Sequence, residues 1–191
     1  MRFGSTHADA TALPRPGPVF WLGGAVVAMC LAFLTVLTWR KWGDMLVDFG
    51  MQLYVPWKLA TGAVLYRDVA YLTGGPLSQY YHALLFRVFG VSLLTIVVSN
   101  LVILVLLAAL IYKSFYQISD AWTATMAGLA LVLVFAFGQY RSLGTFNLVS
   151  PYSHELVHGV VLSIAVLWLL CRWLAEEKIA PALLAGLGLS L

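Results

Sequence analysis

The residues of this chain that can do chemistry fall into two clusters. The first holds Asp44, Asp48, Lys58, Arg67 and Asp68; the second is His154-Glu155-Leu156-Val157-His158, opened by Ser150-Pro151. A carboxylate can take or orient a hydroxyl proton, which makes Asp48 a candidate base and Glu155 a second acidic group. Arginine suits two-pronged phosphate binding, so Arg67 and Arg141, with Lys58, are candidate anion ligands. Asp48 can also serve simply as a helix cap, and Asp44 and Asp68 read better as structural residues. The second cluster also spells the zinc-peptidase pattern, in which histidines four apart share a helix face and the glutamate activates a zinc-bound water. His154 and His158 are then alternative metal ligands, but a third is hard to find. Glu176 follows along an uninterrupted apolar run, about 27 Å from His158 if that run is one helix.

The elements that must position these groups are apolar. The chain is 62% hydrophobic and 10% charged, against roughly 25% charged in a soluble domain. Four runs, Val19–Thr38, Leu93–Tyr112, Thr123–Phe137 and Leu156–Leu174, approach the roughly 20 residues that a helix needs to cross a bilayer. The expected fold is all-α, a polytopic transmembrane helical bundle of four spans with a truncated fifth at Ala180–Leu191. Residues 1–18 read as a disordered tail and residues 19–191 as one membrane domain. The net charge of +3 is too small and scattered for a nucleic-acid partner. Cys30 and Cys171 are far apart in sequence and suggest no disulfide framework.

If all four runs span, the loop of residues 40–90 and the segment before the fourth run share one face of the membrane. Basic residues divide almost evenly between the two faces, so charge does not fix orientation. Within the long loop, Asp48 can cap a helix beginning at Phe49, with Pro56 inside it and Gly62 ending it. Gly74-Gly75-Pro76 reads as a turn into a second helix. Leu77, Tyr81, Leu84, Leu85 and Val88 make an apolar stripe along that helix at helical spacing, as expected of a helix in the membrane interface. Asn100 is a candidate helix–helix hydrogen bond, and Gly128 and Gly188 are candidate points of close packing.

The block from Trp42 through Asp48, Tyr54, Trp57 and Gly62 to Tyr66-Arg67-Asp68 resembles the first external loop of bacterial membrane glycosyltransferases of the GT-C superfamily. The likeness is to the protein O-mannosyltransferases and lipid A aminoarabinose transferases of family 39 and its relatives. It extends from about Trp42 to Gly159 and includes Tyr71-Leu-Thr-Gly-Gly-Pro-Leu-Ser-Gln-Tyr80 and Ser150-Pro-Tyr-Ser-His-Glu-Leu-Val-His-Gly159. The resemblance implies a multi-pass protein of the bacterial inner membrane with its active face extracytoplasmic. It further implies a polyprenyl-phosphate sugar donor, an inverting transfer, and an acidic residue after the first span that acts on the acceptor. Asp48 matches that position; many relatives carry an Asp-Glu pair there, whereas in this chain Phe49 follows Asp48.

On that resemblance Lys58, Arg67 and Arg141 would hold the donor phosphate. Tyr54 and Trp57 would stack on a sugar, and His154 and Glu155 would face donor, acceptor or a divalent cation. No cofactor is fixed by the sequence, and neither is oligomeric state; the partners expected are the lipid-linked donor and membrane lipid. Two rival classes are a membrane zinc peptidase and a non-catalytic transporter or assembly fragment. The latter predicts charged groups along the spans, and the four runs hold almost none.

Overall fold

The structure is a computed structural model and describes residues 16–43, 49–72, 74–138, 147–176 and 179–190. Residues 1–15 of the expected tail, and the candidate site residues Asp48 and Arg141, lie outside the described residues, as does Asp44. The described chain is helical: α1 Pro18–Leu37, α2 Gly50–Ala60, α3 Pro76–Phe89, α4 Leu93–Ile118, α5 Ala121–Ala130, α6 His154–Glu176 and α7 Ile179–Ser190. A π-helical stretch, Leu131–Ala136, extends α5.

Local chemistry accounts for the helix ends. Pro18 and Pro76 stand in the first turns of α1 and α3, where a missing N–H costs nothing. Ser92 Oγ accepts from the Leu94 N–H at 3.1 Å to start α4, and Asp120 Oδ1 accepts from the Thr123 N–H at 2.7 Å to start α5. Gly90 closes α3 at φ +88°, a conformation that glycine adopts without a Cβ clash. α2 begins at Gly50 with Phe49 as the flanking residue, one position later than the cap reading of Asp48 expects.

Among the described residues three helices are long and apolar enough to cross a membrane, Pro18–Leu37, Leu93–Ile118 and His154–Leu174. The third of the four expected runs is shorter: α5 and its π extension hold ten and six residues, about 24 Å of rise. α4 continues through Lys113 to Ile118, so the connection expected over Lys113–Asp120 reduces to Ser119 and Asp120.

α1 and α5 meet through small residues. An added Cβ at Gly128 would lie 2.9 Å from Val27 Cγ2, and one at Gly23 would run into the Thr125 and Tyr112 side chains. Such close approach drives association where lipid removes any hydrophobic incentive. Ile96, Val97, Leu104, Leu107, Ala124 and Val132 are buried within the bundle, while Trp21, Leu22 and Val36 lie outward. α2 and α3 form a smaller packed unit around Val55, Leu59, Leu65, Tyr71 and Ala83. This unit lies against the start of α6, and α7 packs along the remainder, with Gly188 close to Val166.

α3 turns its polar face into the protein and leaves its apolar stripe outward. Its buried residues are Ser78, Gln79, His82, Ala83 and Phe86, whereas Leu84 and Val88 of the apolar stripe are 60% and 64% exposed. The polar groups take the inner face because protein can satisfy their hydrogen bonds and hydrocarbon cannot.

Candidate functional site

Glu155, in the first turn of α6, is the centre of a polar group assembled from three helices and a loop. Its Oε1 accepts from Gln79 Nε2 of α3 at 2.6 Å. Its Oε2 accepts from Ser153 Oγ at 2.7 Å and from Gln52 Nε2 of α2 at 3.2 Å. Gln52 also donates to the Tyr71 hydroxyl at 2.6 Å, and Tyr71 adds a further hydrogen bond to the carboxylate. Gly74 fits against this side chain: a Cβ there would stand 2.6 Å from Glu155 Cγ. The glycine that starts the turn into α3 is therefore also the wall of the site.

Behind the carboxylate lies a cluster of three histidines, from α3 and α6. The His82 ring centre is 5.1 Å from that of His154 and 5.3 Å from that of His158, and all three side chains are buried. Burial pushes the His82 imidazole down to about 2, with the nearby His154 and His158 rings acting in the same direction, so it is neutral at physiological pH. Ser78 Oγ and His158 Nδ1 are 2.6 Å apart. Asn100 of α4 places Nδ2 3.1 Å from the Val149 carbonyl and 2.9 Å from His154 Nδ1. A carbonyl can only accept, so the amide nitrogen faces both, His154 Nδ1 accepts, and Nε2 carries the ring proton. Asn100 is thus the interhelical hydrogen bond expected of it.

That tautomer bears on the zinc alternative. His154 and His158 do share one helix, and donation from Asn100 to His154 Nδ1 leaves the proton on Nε2, which has no hydrogen-bond partner among the described residues. Among the described residues no group of three or more His, Cys, Asp or Glu side chains is arranged to hold a metal ion.

The other candidates occupy a different part of the loop. Tyr54 and Trp57 pack edge to face, with Lys58 Nζ 5.7 and 5.2 Å from their ring centres. This patch turns away from the α2 face that carries Gln52. Arg67 pairs with Asp68 in two-pronged fashion, Nε at 3.0 Å and Nη2 at 2.8 Å, while Asp68 Oδ2 also accepts from the Val64 N–H at 2.8 Å. Arg67 first, then the Val64 N–H, hold the Asp68 carboxyl down at about 2. This is a loop clamp, as the structural reading of Asp68 expects. Although Asp48 is outside the described residues, its neighbour Phe49 is buried with its ring 6.1 Å from that of His154.

A groove of about 570 Å³ opens from the site. Ser78, Glu155 and His158 line one end, and Leu162, Val166, Leu167 and Leu170 of α6 with Gly188 of α7 line the rest. Gln52, Tyr71, Ser78, Gln79 and His82 are the members that sequence reasoning passed over. Ser78, Gln79 and His82 fall on one face of a helix, and that polar face was the available signal.

No protein-family model matches this chain, and neither a curated protein nor a solved structure shows significant similarity to it.

Proposed function

We propose that this chain is a membrane glycosyltransferase that moves a sugar from a polyprenyl-phosphate donor to a hydroxyl on an extracytoplasmic lipid, glycan or protein. The observation that carries the reading is the polarity of the groove, with a half-buried carboxylate, a serine and a histidine at one end and an aliphatic lining beyond. A lipid with a polar head matches both ends, whereas a water-soluble substrate would leave the aliphatic walls unmatched. The likeness of the Trp42–Gly159 segment to GT-C enzymes supplies the reaction class.

In this reading the acceptor oxygen attacks the anomeric carbon from the face opposite the phosphate. The bond from that carbon to the phosphate oxygen breaks, and polyprenyl phosphate leaves with the electron pair. The hydroxyl proton passes to a carboxylate. Asp48 is assigned that proton by the resemblance, and support comes from its neighbour Phe49, whose ring lies 6.1 Å from that of His154, the residue before Glu155. Glu155 is the second acidic group, at the donor end. The active face is the extracytoplasmic side of a bacterial inner membrane.

The test is transfer by the purified protein in lipid nanodiscs, supplied with labelled polyprenyl-phosphate sugars. Asp48→Asn and Glu155→Gln should each lose transfer while keeping the wild-type circular dichroism spectrum. Undiminished transfer by both variants sinks the assignment.

A further inference from the structure

Ser78 of α3 and His158 of α6 meet between their two helices, with Oγ and Nδ1 2.6 Å apart. The two side chains are 3% and 9% exposed, and both line the end of the groove that holds Glu155. A serine hydroxyl at that distance from a ring nitrogen has the geometry in which an imidazole activates a nucleophile. Ser78 sits in the first turn of α3, directly after Pro76 and Leu77. The His158 ring is held edge to face against the Tyr81 ring, with centres 5.1 Å apart.

Two further features suit the pair to nucleophilic chemistry. Gly75 flanks α3 without a side-chain cap, so the Leu77 and Ser78 N–H groups have no acceptor within the helix. Gly75, Leu77 and Ser78 all line the groove, and first-turn N–H groups beside a nucleophile are what a developing oxyanion needs. Glu155 stands three residues before His158, on the same face of α6. Its oxygens are engaged by Gln79, Gln52 and Ser153, so it acts on the ring through its charge. A fixed carboxylate there favours the imidazolium that forms when the ring takes a proton. Beyond these groups Leu162, Val166, Leu167 and Leu170 line the groove along α6. From His158 to Leu170 the helix rises about 18 Å, a length suited to an extended fatty-acyl chain.

We propose that Ser78, with His158 as its base, is the nucleophile of an acyl-transfer site whose substrate is a long-chain carboxylic ester of a membrane lipid. This activity does not rest on the glycosyltransferase reading. Ser78 Oγ attacks the ester carbonyl carbon while its proton passes to His158 Nδ1, in the tautomer that carries the ring proton on Nε2. The carbonyl electron pair moves onto oxygen, where the first-turn N–H groups stabilise it. As that pair returns, the bond to the alcohol oxygen breaks and His158 gives this oxygen its proton. Water or a second hydroxyl then attacks the acyl-serine by the same route. The acid or a new ester leaves, and the proton held by His158 returns to Ser78 Oγ.

A fluorophosphonate with a long alkyl chain, applied to the full chain in lipid nanodiscs, tests the site, with peptide mass spectrometry locating the adduct. The expected result is a phosphonyl adduct on Ser78 that is lost in Ser78→Ala. His158→Gln should slow labelling by about a hundredfold or more, the usual scale of general-base assistance. Ser163→Ala removes the other serine of the groove wall and should label at the wild-type rate. Circular dichroism separates loss of the base from loss of the fold. Should His158→Gln fail to fold, Ser78→Cys takes its place. Paired with the imidazole, this thiol should react with iodoacetamide at pH 6.5 faster than Cys30 or Cys171, since a free thiol ionises only near about 8.5. No adduct on Ser78 in the folded wild type, unslowed labelling in folded His158→Gln, or an unreactive Ser78→Cys overturns the proposal. An adduct on Ser78 in a protein that transfers no sugar leaves this site standing and removes the transferase.

Discussion

Gln79 and Glu155, 76 residues apart in the chain, meet side chain to side chain at 2.6 Å and tie α3 to the first turn of α6. Gln79 is fully buried and Glu155 half-buried. A hydrogen bond to a charged acceptor is among the stronger kinds. Gln79→Leu should therefore destabilise the protein by roughly 1–2 kcal/mol, with water at the half-exposed carboxylate moderating the loss. A thermal unfolding series in detergent checks it; an unchanged midpoint would show that the contact contributes nothing.

Gly74 and Gly75 make a matched pair of probes. A Cβ at Gly74 would lie 2.6 Å from Glu155 Cγ and 2.9 Å from Cδ, whereas one at Gly75 meets nothing within 4 Å. Gly74→Ala should shift the carboxylate and, on the proposed transferase reading, lower sugar transfer by about tenfold or more, since small displacements at a reacting centre are costly. Gly75→Ala adds a methyl at the groove lining without touching Glu155 and should be the milder change. Equal activity in the two variants would dissociate the Glu155 position from function.

Asn100 satisfies two acceptors on one amide, the Val149 carbonyl and His154 Nδ1. Asn100→Leu leaves both buried and unpaired, at a cost of roughly 2–3 kcal/mol. Asn100→Asp should be at least as damaging, because a carboxylate oxygen would then face two acceptors. Comparable stability of the Asp variant and wild type would contradict donation from the Asn100 amide to both groups.

His82 makes stability depend on pH. Its folded value of about 2 lies below the ordinary value of 6.5. Between those limits the unfolded chain binds a proton that the folded chain refuses, so this group's effect is flat above pH 6.5 and stability falls as pH drops below it. The slope for one such proton is at most about 1.4 kcal/mol per pH unit. His82→Phe should flatten the pH dependence of the unfolding midpoint between pH 6.5 and 5; an unaltered dependence would place the titration elsewhere.

The spans were legible because a bilayer demands long apolar runs, and Ser92, Pro76 and Asp120 mark helix starts through side-chain and backbone chemistry that acts over a few residues. The inner face of α3 was not. In a soluble protein the stripe Leu77–Val88 would point inward, but beside a membrane apolar residues have two acceptable environments and polar ones have one. Ser78, Gln79 and His82, not the leucines, carried the orientation. The partners of Glu155 were hidden for another reason: Gln52 lies 103 residues away from it, and no local pattern encodes a meeting at that distance. Glu155 itself was visible from its place beside two histidines at the head of an apolar run. Asp48 stays an assignment by resemblance, next to a phenylalanine that does reach the histidine cluster.

α3 carries two messages on one rigid rod of fourteen residues. Ser78, Gln79 and His82 touch the carboxylate and the histidines, while Leu84, Val88 and Phe89 point away from the protein. Any displacement of the outer face is handed to the inner side chains without loss, because both faces belong to one helix, so whatever packs on Leu84, Val88 and Phe89 is coupled to the geometry around Glu155.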